Sequence, residues 1–289
     1  MPKTDPISFF RQSLKSEAYY ADEIINIYLL RPLAALIVWV LHPTKITPNH
    51  VTMFAIFLGL CSAFFYSMGT PAALIAAGVL IILKDIFDDA DGQLARAKEL
   101  YSRRGRFLDS IGDFIVDAAV FAGLTFAAYR SESGWETILL GLASFIGITL
   151  RVSYHVFYQV SFLHLEDRYK LNRIAEEITD EDMRGDPVAL QLQKVFLLIY
   201  GWQDRLMYRL DSWCRGKNFD SKLTPVWYSD RFGLRLSGLM GFGTELSILG
   251  MCSTCNALHG YLVINVFLLN GVWLVNILYR SFILSRNLK

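Results

Sequence analysis

Cysteine is scarce in this 289-residue chain, and the four present, Cys61, Cys214, Cys252 and Cys255, are too scattered to hold a disulfide scaffold. Net charge is nearly absent as well, because 28 Lys and Arg stand against 27 Asp and Glu. A nucleic-acid partner needs a concentrated basic surface, so that class is excluded. The histidines, at 42, 50, 155, 164 and 259, show no metal-ligand spacing. The first thirty residues lack a continuous apolar core and carry Lys3, Asp5, Arg11, Lys15, Glu17, Asp22 and Glu23, so no cleavable signal peptide is expected. Internal repeats and low-complexity linkers are missing too.

Apolar surface, by contrast, is abundant. Hydrophobic residues make up 53% and aromatics 14%, and the mean hydropathy of +0.34 exceeds that of ordinary soluble domains. A bilayer core of about 30 Å takes roughly 20 helical residues to cross. Six segments reach that length, at about 50–69, 71–97, 106–129, 135–161, 233–255 and 260–282, with Gly69, Pro71, Gly105, Gly134 and Gly260 marking turns and helix starts. The expected fold is therefore all-α, a polytopic membrane protein built as a six-transmembrane-helix bundle.

Two parts lie outside the bundle. Residues 28–41 are apolar but only about half a span long, and read as an N-terminal helix lying in the interface or buried beside the bundle. Residues 1–49 thus form an N-terminal segment, and 50–289 the six-span domain. Thr47, Pro48 and Asn49 fit the cap of the first span. Residues 162–232 are rich in charge and insert between the fourth and fifth spans. Within them, 187–213 has apolar residues at helical spacing, which predicts one or two amphipathic helices.

The cations set an orientation. Connections 68–72, 130–134 and 256–259 hold only Arg130, whereas Arg96, Lys98, Arg103, Arg104, Arg106, Arg280, Arg286 and Lys289 fall at the other ends. That asymmetry places both termini, the insertion and the acidic stretch 85–113 on the cytoplasmic side.

That stretch reads DIFDDADGQLARAKELYSRRGRFLDSIGD. Asp88 and Asp91 are three apart at the end of the second span, so they share a helix face. Asp109 and Asp113 are four apart at the start of the third. If the two helices are antiparallel neighbours, both pairs face one space. Four converging carboxylates repel unless a cation intervenes, and an oxygen-only set favours Mg²⁺, Mn²⁺ or Ca²⁺ over zinc. Two ions about 4 Å apart would suit the clamping of phosphate oxygens. Gly92 leaves the helix backbone open beside Asp91, Ala95 keeps that face shallow, Arg96 offers a guanidinium fork for phosphate, and Gly105 permits a tight turn.

Together these residues spell D-x2-D-G-x2-A-R-x8-G-x3-D-x3-D from Asp88 to Asp113. In this the chain resembles the CDP-alcohol phosphotransferases, integral membrane enzymes that move a substituted phosphate from a cytidine diphosphate donor to an alcohol and release CMP. The resemblance implies metal ligation by Asp88, Asp91, Asp109 and Asp113, with Asp113 as general base. It implies that Asp88, Gly92, Ala95, Arg96 and Gly105 border the nucleotide. It further implies Mg²⁺ or Mn²⁺ as cofactor, two ions in number, and a homodimer in phospholipid synthesis, with CDP-diacylglycerol as the preferred donor to an alcohol acceptor and a soluble CDP-alcohol with diacylglycerol as the open alternative. The insertion is longer than that family leads one to expect.

Other residues carry weaker readings. Asp85 and Asp117, each one turn deeper than the motif, suit hydrogen bonding behind the ligands. Asp89 points off the shared face. Arg151 on the fourth span suits an anionic group of acceptor or lipid, or a snorkel to the headgroups. Lys84 reads first as a headgroup contact and second as a substrate contact. The Cys252 and Cys255 pair has no second ligand pair and reads as small packing residues. A transporter or ion pathway using intramembrane aspartates is the alternative to an enzyme, but such sites favour the midplane of broken helices in repeated halves.

Overall fold

A computed structural model describes residues 20–132, 134–165 and 176–287, so 1–19 and part of the insertion lie outside the described residues. Every regular element among them is helical. The helices are α1 (Asn26–Leu41), α2 (Pro48–Met68), α3 (Pro71–Lys98), α4 (Arg103–Glu132) and α5 (Trp135–Leu165), then α6 (Asp180–Arg184), α7 (Pro187–Arg215) and α8 (Thr224–Tyr228) of the insertion. The chain closes with α9 (Arg231–Gly238), α10 (Phe242–Thr254) and α11 (Leu258–Leu284).

Local chemistry explains the starts. Proline occupies the first turn of α2, α3 and α7, where its missing N–H is not needed. Side chains of Thr70, Asp186 and Asp230 accept backbone N–H bonds at the starts of α3, α7 and α9. Gly69 ends α2 with φ +67°, a conformation that glycine adopts without strain.

Among the described residues, four helices are long and apolar enough to cross a membrane: Pro48–Met68, Arg103–Ser131, Trp135–Leu165 and Leu258–Leu284. This marks an integral membrane protein. α3 has 28 residues, long enough at about 1.5 Å each, but its second half carries Lys84, Asp85, Asp88, Asp89 and Asp91. The six-span expectation differs most at its fifth member. Residues 233–255 are not one helix: the chain breaks between Gly238 and Phe242, and the 13-residue α10 that follows covers only about 20 Å. The break leaves free amides inside the protein, and Glu23 answers them. Its carboxylate accepts from Thr244 N at 2.7 Å, Thr244 Oγ1 at 2.8 Å and Gly243 N at 3.3 Å. A distant residue thus caps a helix that its own sequence does not.

A second difference concerns α3 and α4. They are not packed along each other as expected of antiparallel neighbours; each packs chiefly along α2. Ser62 Oγ of α2 bonds the Ala77 carbonyl of α3 at 2.8 Å, and Val116 of α4 fills the space over Gly59. α10 lies on the other flank of α3, where a side chain at Gly78 would stand 2.7 Å from the Gly250 carbonyl. Small residues let these two backbones approach.

α1 is more than an interfacial strip. Ala34 and Val38 pack with Val51, Ala90 and Leu94, while Tyr28, Leu29, Trp39 and Val40 face outward. The insertion's long helix α7 lies against α4 and α5, with Tyr200 Oη donating to the Ser110 carbonyl at 2.8 Å and Phe196 5.4 Å from Phe107. Its far end is tied down by buried Asp211, which accepts from Tyr158, Trp227 and Tyr228 at 2.8–2.9 Å.

Candidate functional site

Helical phase puts Asp88 and Asp91 on one face of α3, and the shared packing on α2 brings Asp109 of α4 opposite them. One ligand oxygen from each of these three lies within 4.8 Å of the others. Thr52 of α2, itself buried, donates its hydroxyl to Asp91 Oδ2. Asp109 Oδ1 is buried without a hydrogen-bond partner. Three carboxylates with an unsatisfied oxygen fit a hard divalent cation, which would neutralise their repulsion.

Asp113 stands apart from that triangle. Its Oδ1 accepts from the Nζ of Lys84, a fully buried lysine whose ammonium also lies 3.5 Å from Asp88 Oδ2 and 4.6 Å from the centre of the Phe242 ring. Below this layer, Asp85 Oδ2 and Asp117 Oδ1 are buried and unpartnered, as is Asp89 Oδ2 on the α1 side.

The glycines act by leaving room. A Cβ on Gly92 would meet only the Arg96 guanidinium at 3.7 Å, so the backbone beside Asp91 is open. Ala95 is half-buried and Arg96 exposed at the same end of α3. Gly105 does not make the turn expected of it. Glu99 reverses the chain with φ +57°, and Gly105 sits inside α4, where a Cβ would lie 2.8 Å from Asn49 Oδ1 and 2.9 Å from Ser102 Oγ. Its smallness seats the start of α2 against the start of α4.

A cavity of about 380 Å³ opens beside the carboxylates. Asp88, Asp113 and Asp117 form its acidic wall, Val152 and Phe157 of α5 its apolar wall, and Tyr200 of the insertion its roof. Asp204 of α7 also borders it, and burial pushes that carboxyl up to about 6. The insertion is held in place by ions. Arg103 bonds Glu176 at 2.8 Å and Asp182, Arg106 bonds Glu176 at 2.6 Å, and Arg104 clasps Asp186. Burial works to raise the Asp182 carboxyl, but the Thr179 amide, Arg103 and Gln193 outweigh it and hold it well below the usual range.

Arg151 is not in this cavity. Its guanidinium is fully buried and bound at 2.6 Å through both Nε and Nη2 to Glu245, with Nη1 donating to Asn270 Oδ1 at 2.5 Å. Lys84, expected at a headgroup or a substrate, bonds Asp113 instead, and Thr52 is a site residue that the sequence did not mark. Lys84 precedes Asp88 by four positions, so their common face was readable. Thr52, 39 residues from Asp91, left no such signal.

Residues 45–175 match the family model described as CDP-alcohol phosphatidyltransferase. Over 98 residues, 34% of this chain and 22% of the relative, the chain is 38% identical to a bifunctional IPC transferase and DIPP synthase of Thermococcus kodakarensis. It is 35% identical over 100 residues to a phosphatidylinositol phosphate synthase of Mycobacteroides abscessus, spanning 35% of this chain and 43% of that one. It is 33% identical over 97 residues to an archaetidylinositol phosphate synthase of Pyrococcus horikoshii, spanning 34% and 48%. The chain spans less than half the length of each of these three.

Proposed function

From the match of residues 45–175 to the CDP-alcohol phosphatidyltransferase family model, we propose that this chain transfers a substituted phosphate from a CDP-linked donor, CDP-diacylglycerol, to an alcohol, releasing CMP in phospholipid synthesis. The observation that carries the reading is the meeting of Asp88, Asp91 and Asp109 within 4.8 Å beside a cavity that also exposes Asp113.

Asp88, Asp91 and Asp109 would hold Mg²⁺ or Mn²⁺, which when bound supplies positive charge for the diphosphate oxygens. Gly92 and Ala95 leave a shallow face for the cytidine, Arg96 offers its fork to the phosphates, and Gly105 keeps the opposite rim close. The acceptor enters the cavity under Tyr200. Asp113, one oxygen fixed by Lys84, takes the hydroxyl proton on the other. The acceptor oxygen forms its bond to phosphorus as the bond to the CMP oxygen breaks, and the electron pair leaves with CMP. No covalent enzyme intermediate is needed. The motif end would face the cytoplasm, where nucleotide-activated donors reside, and the enzyme would work as a homodimer.

The unpartnered oxygens of Asp85 and Asp117 favour one other reading, a cation pathway through the helices. The experiment that separates them is CMP release by the purified full chain in lipid, across CDP-linked donors and acceptors that include inositol phosphates and unphosphorylated alcohols. One productive pair, silent with EDTA and in Asp113→Asn, is the expected result. Cation flux without any dependence on a cytidine nucleotide would overturn the transferase reading.

A further inference from the structure

Lys84 is the only cation within hydrogen-bond reach of the motif carboxylates among the described residues, and it is fully buried. A buried ammonium persists only where charge and hydrogen bonds answer it. Here Asp113 Oδ1 takes its hydrogen bond, Asp88 Oδ2 lies 3.5 Å away, and the Phe242 ring face lies 4.6 Å away on another side. Asp85 and Asp117 lie nearby as well. The stem is fixed because α3 is continuous from Lys84 to Asp88, one turn apart.

This arrangement divides the four motif aspartates unequally. Asp88, Asp91 and Asp109 converge as a three-oxygen set. The fourth, Asp113, is already answered by an ammonium that leans on Asp88 as well. A second divalent ion bridging Asp88 and Asp113 would have to sit about 2.0–2.6 Å from the same oxygens. A dication and an ammonium sharing those oxygens would stand about 4–5 Å apart and repel strongly in a desolvated site.

We propose that Lys84 is a positioning residue whose ammonium takes the place of a second divalent ion, so that the chain binds one metal ion on Asp88, Asp91 and Asp109. Lys84 then does for Asp113 what a second metal would do. It cancels the fourth carboxylate's charge, pins one of its oxygens, and leaves the other turned to the cavity for the acceptor's proton. This rests on the metal-dependent reading of the motif and replaces its two-ion expectation.

The test is Mn²⁺ titration of the purified full chain in nanodiscs, read by electron paramagnetic resonance without substrate. Wild type is expected to bind one Mn²⁺ per chain with an uncoupled six-line spectrum. Lys84→Met is expected to bind a second and to show the exchange-coupled spectrum of a Mn²⁺ pair. Two ions in wild type, or a folded Lys84→Met that still binds one, would overturn the inference. If Lys84→Met does not fold, Asp113→Asn decides: retention of one Mn²⁺ within about threefold of wild-type affinity supports the assignment, and loss of Mn²⁺ overturns it. One bound Mn²⁺ with no CMP release from any substrate pair would defeat the transferase reading alone. Two bound ions with CMP release would defeat this inference alone.

Discussion

Around Arg151 a buried guanidinium meets a buried carboxylate, and every guanidinium nitrogen donates, to Glu245, to Asn270 or to the Asn265 carbonyl. Around Asp88, in the same bundle, a single ammonium faces Asp85, Asp88, Asp113 and Asp117, with Asp91 and Asp109 close by, and oxygens of Asp85, Asp109 and Asp117 have no partner. Both clusters bury charge between helices. In the first the ion pair is complete as it stands and leaves no charge for a ligand to satisfy. The second carries surplus negative charge beside a cavity, which a fold keeps only if something cationic completes it. Surplus charge, more than burial, separates a site from a strut.

The contrast predicts opposite mutational responses. Asp88→Asn should lower CMP release by roughly a thousandfold or more and weaken Mn²⁺ binding, while leaving thermal stability unchanged or raised because repulsion is relieved. Activity and melting temperature measured on the same sample check this. Arg151→Met should do the reverse, destabilising the protein by roughly 3–5 kcal/mol because Glu245 is left buried and unpaired, and Arg151→Met with Glu245→Leu should recover most of that loss. Denaturation in detergent of the single and double variants tests it, and a stable single variant would break the comparison.

Glu23 is an intermediate case, a buried carboxylate supplied with amides. Burial pushes its carboxyl up to about 7 against the lowering effect of the Thr244 and Gly243 bonds. The folded state therefore holds a proton that the unfolded state has already lost, so stability is full below the ordinary glutamate value and declines as pH rises through about 7. The decline should approach roughly 3 kcal/mol between pH 4.5 and 8, and Glu23→Gln should remove it. Melting curves across that range measure both.

Smaller again is Thr52→Val, which leaves Asp91 without its hydroxyl donor and should weaken Mn²⁺ binding about 10- to 100-fold with little change in fold. The smallest effect belongs to the Asp182 clamp. Its carboxyl is held low, so its contribution is present above the ordinary aspartate value and fades only as pH falls below about 4. In an Asp204→Asn background, protection factors of the α7 amides should accordingly be flat from pH 5 to 8.

Much of this site was legible because its parts are close in sequence. Three- and four-residue spacings fix which aspartates share a helix face, whatever surrounds them, and the apolar lengths fix helices of membrane-crossing size. The insertion's amphipathic run at 187–213 gave one helix, Pro187–Arg215. What failed depended on residues far apart. The break before Phe242 carries no proline and is held open by Glu23, more than 200 positions away. The turn between α3 and α4 fell on Glu99, a residue type with no preference for positive φ, while the glycine expected there serves Asn49 instead.

Sequence alone determined the helical phase of the motif, the donor chemistry of its carboxylates and the membrane class, because each follows from local spacing or composition. Tertiary structure decided that α3 and α4 meet through α2, that Arg151 is a strut answered by Glu245, and that Lys84 stands against Asp113. The physical reason is that an ion's role is set by the partner it finds after packing. Headgroup, substrate and carboxylate are all open to a lysine until the helices close around it.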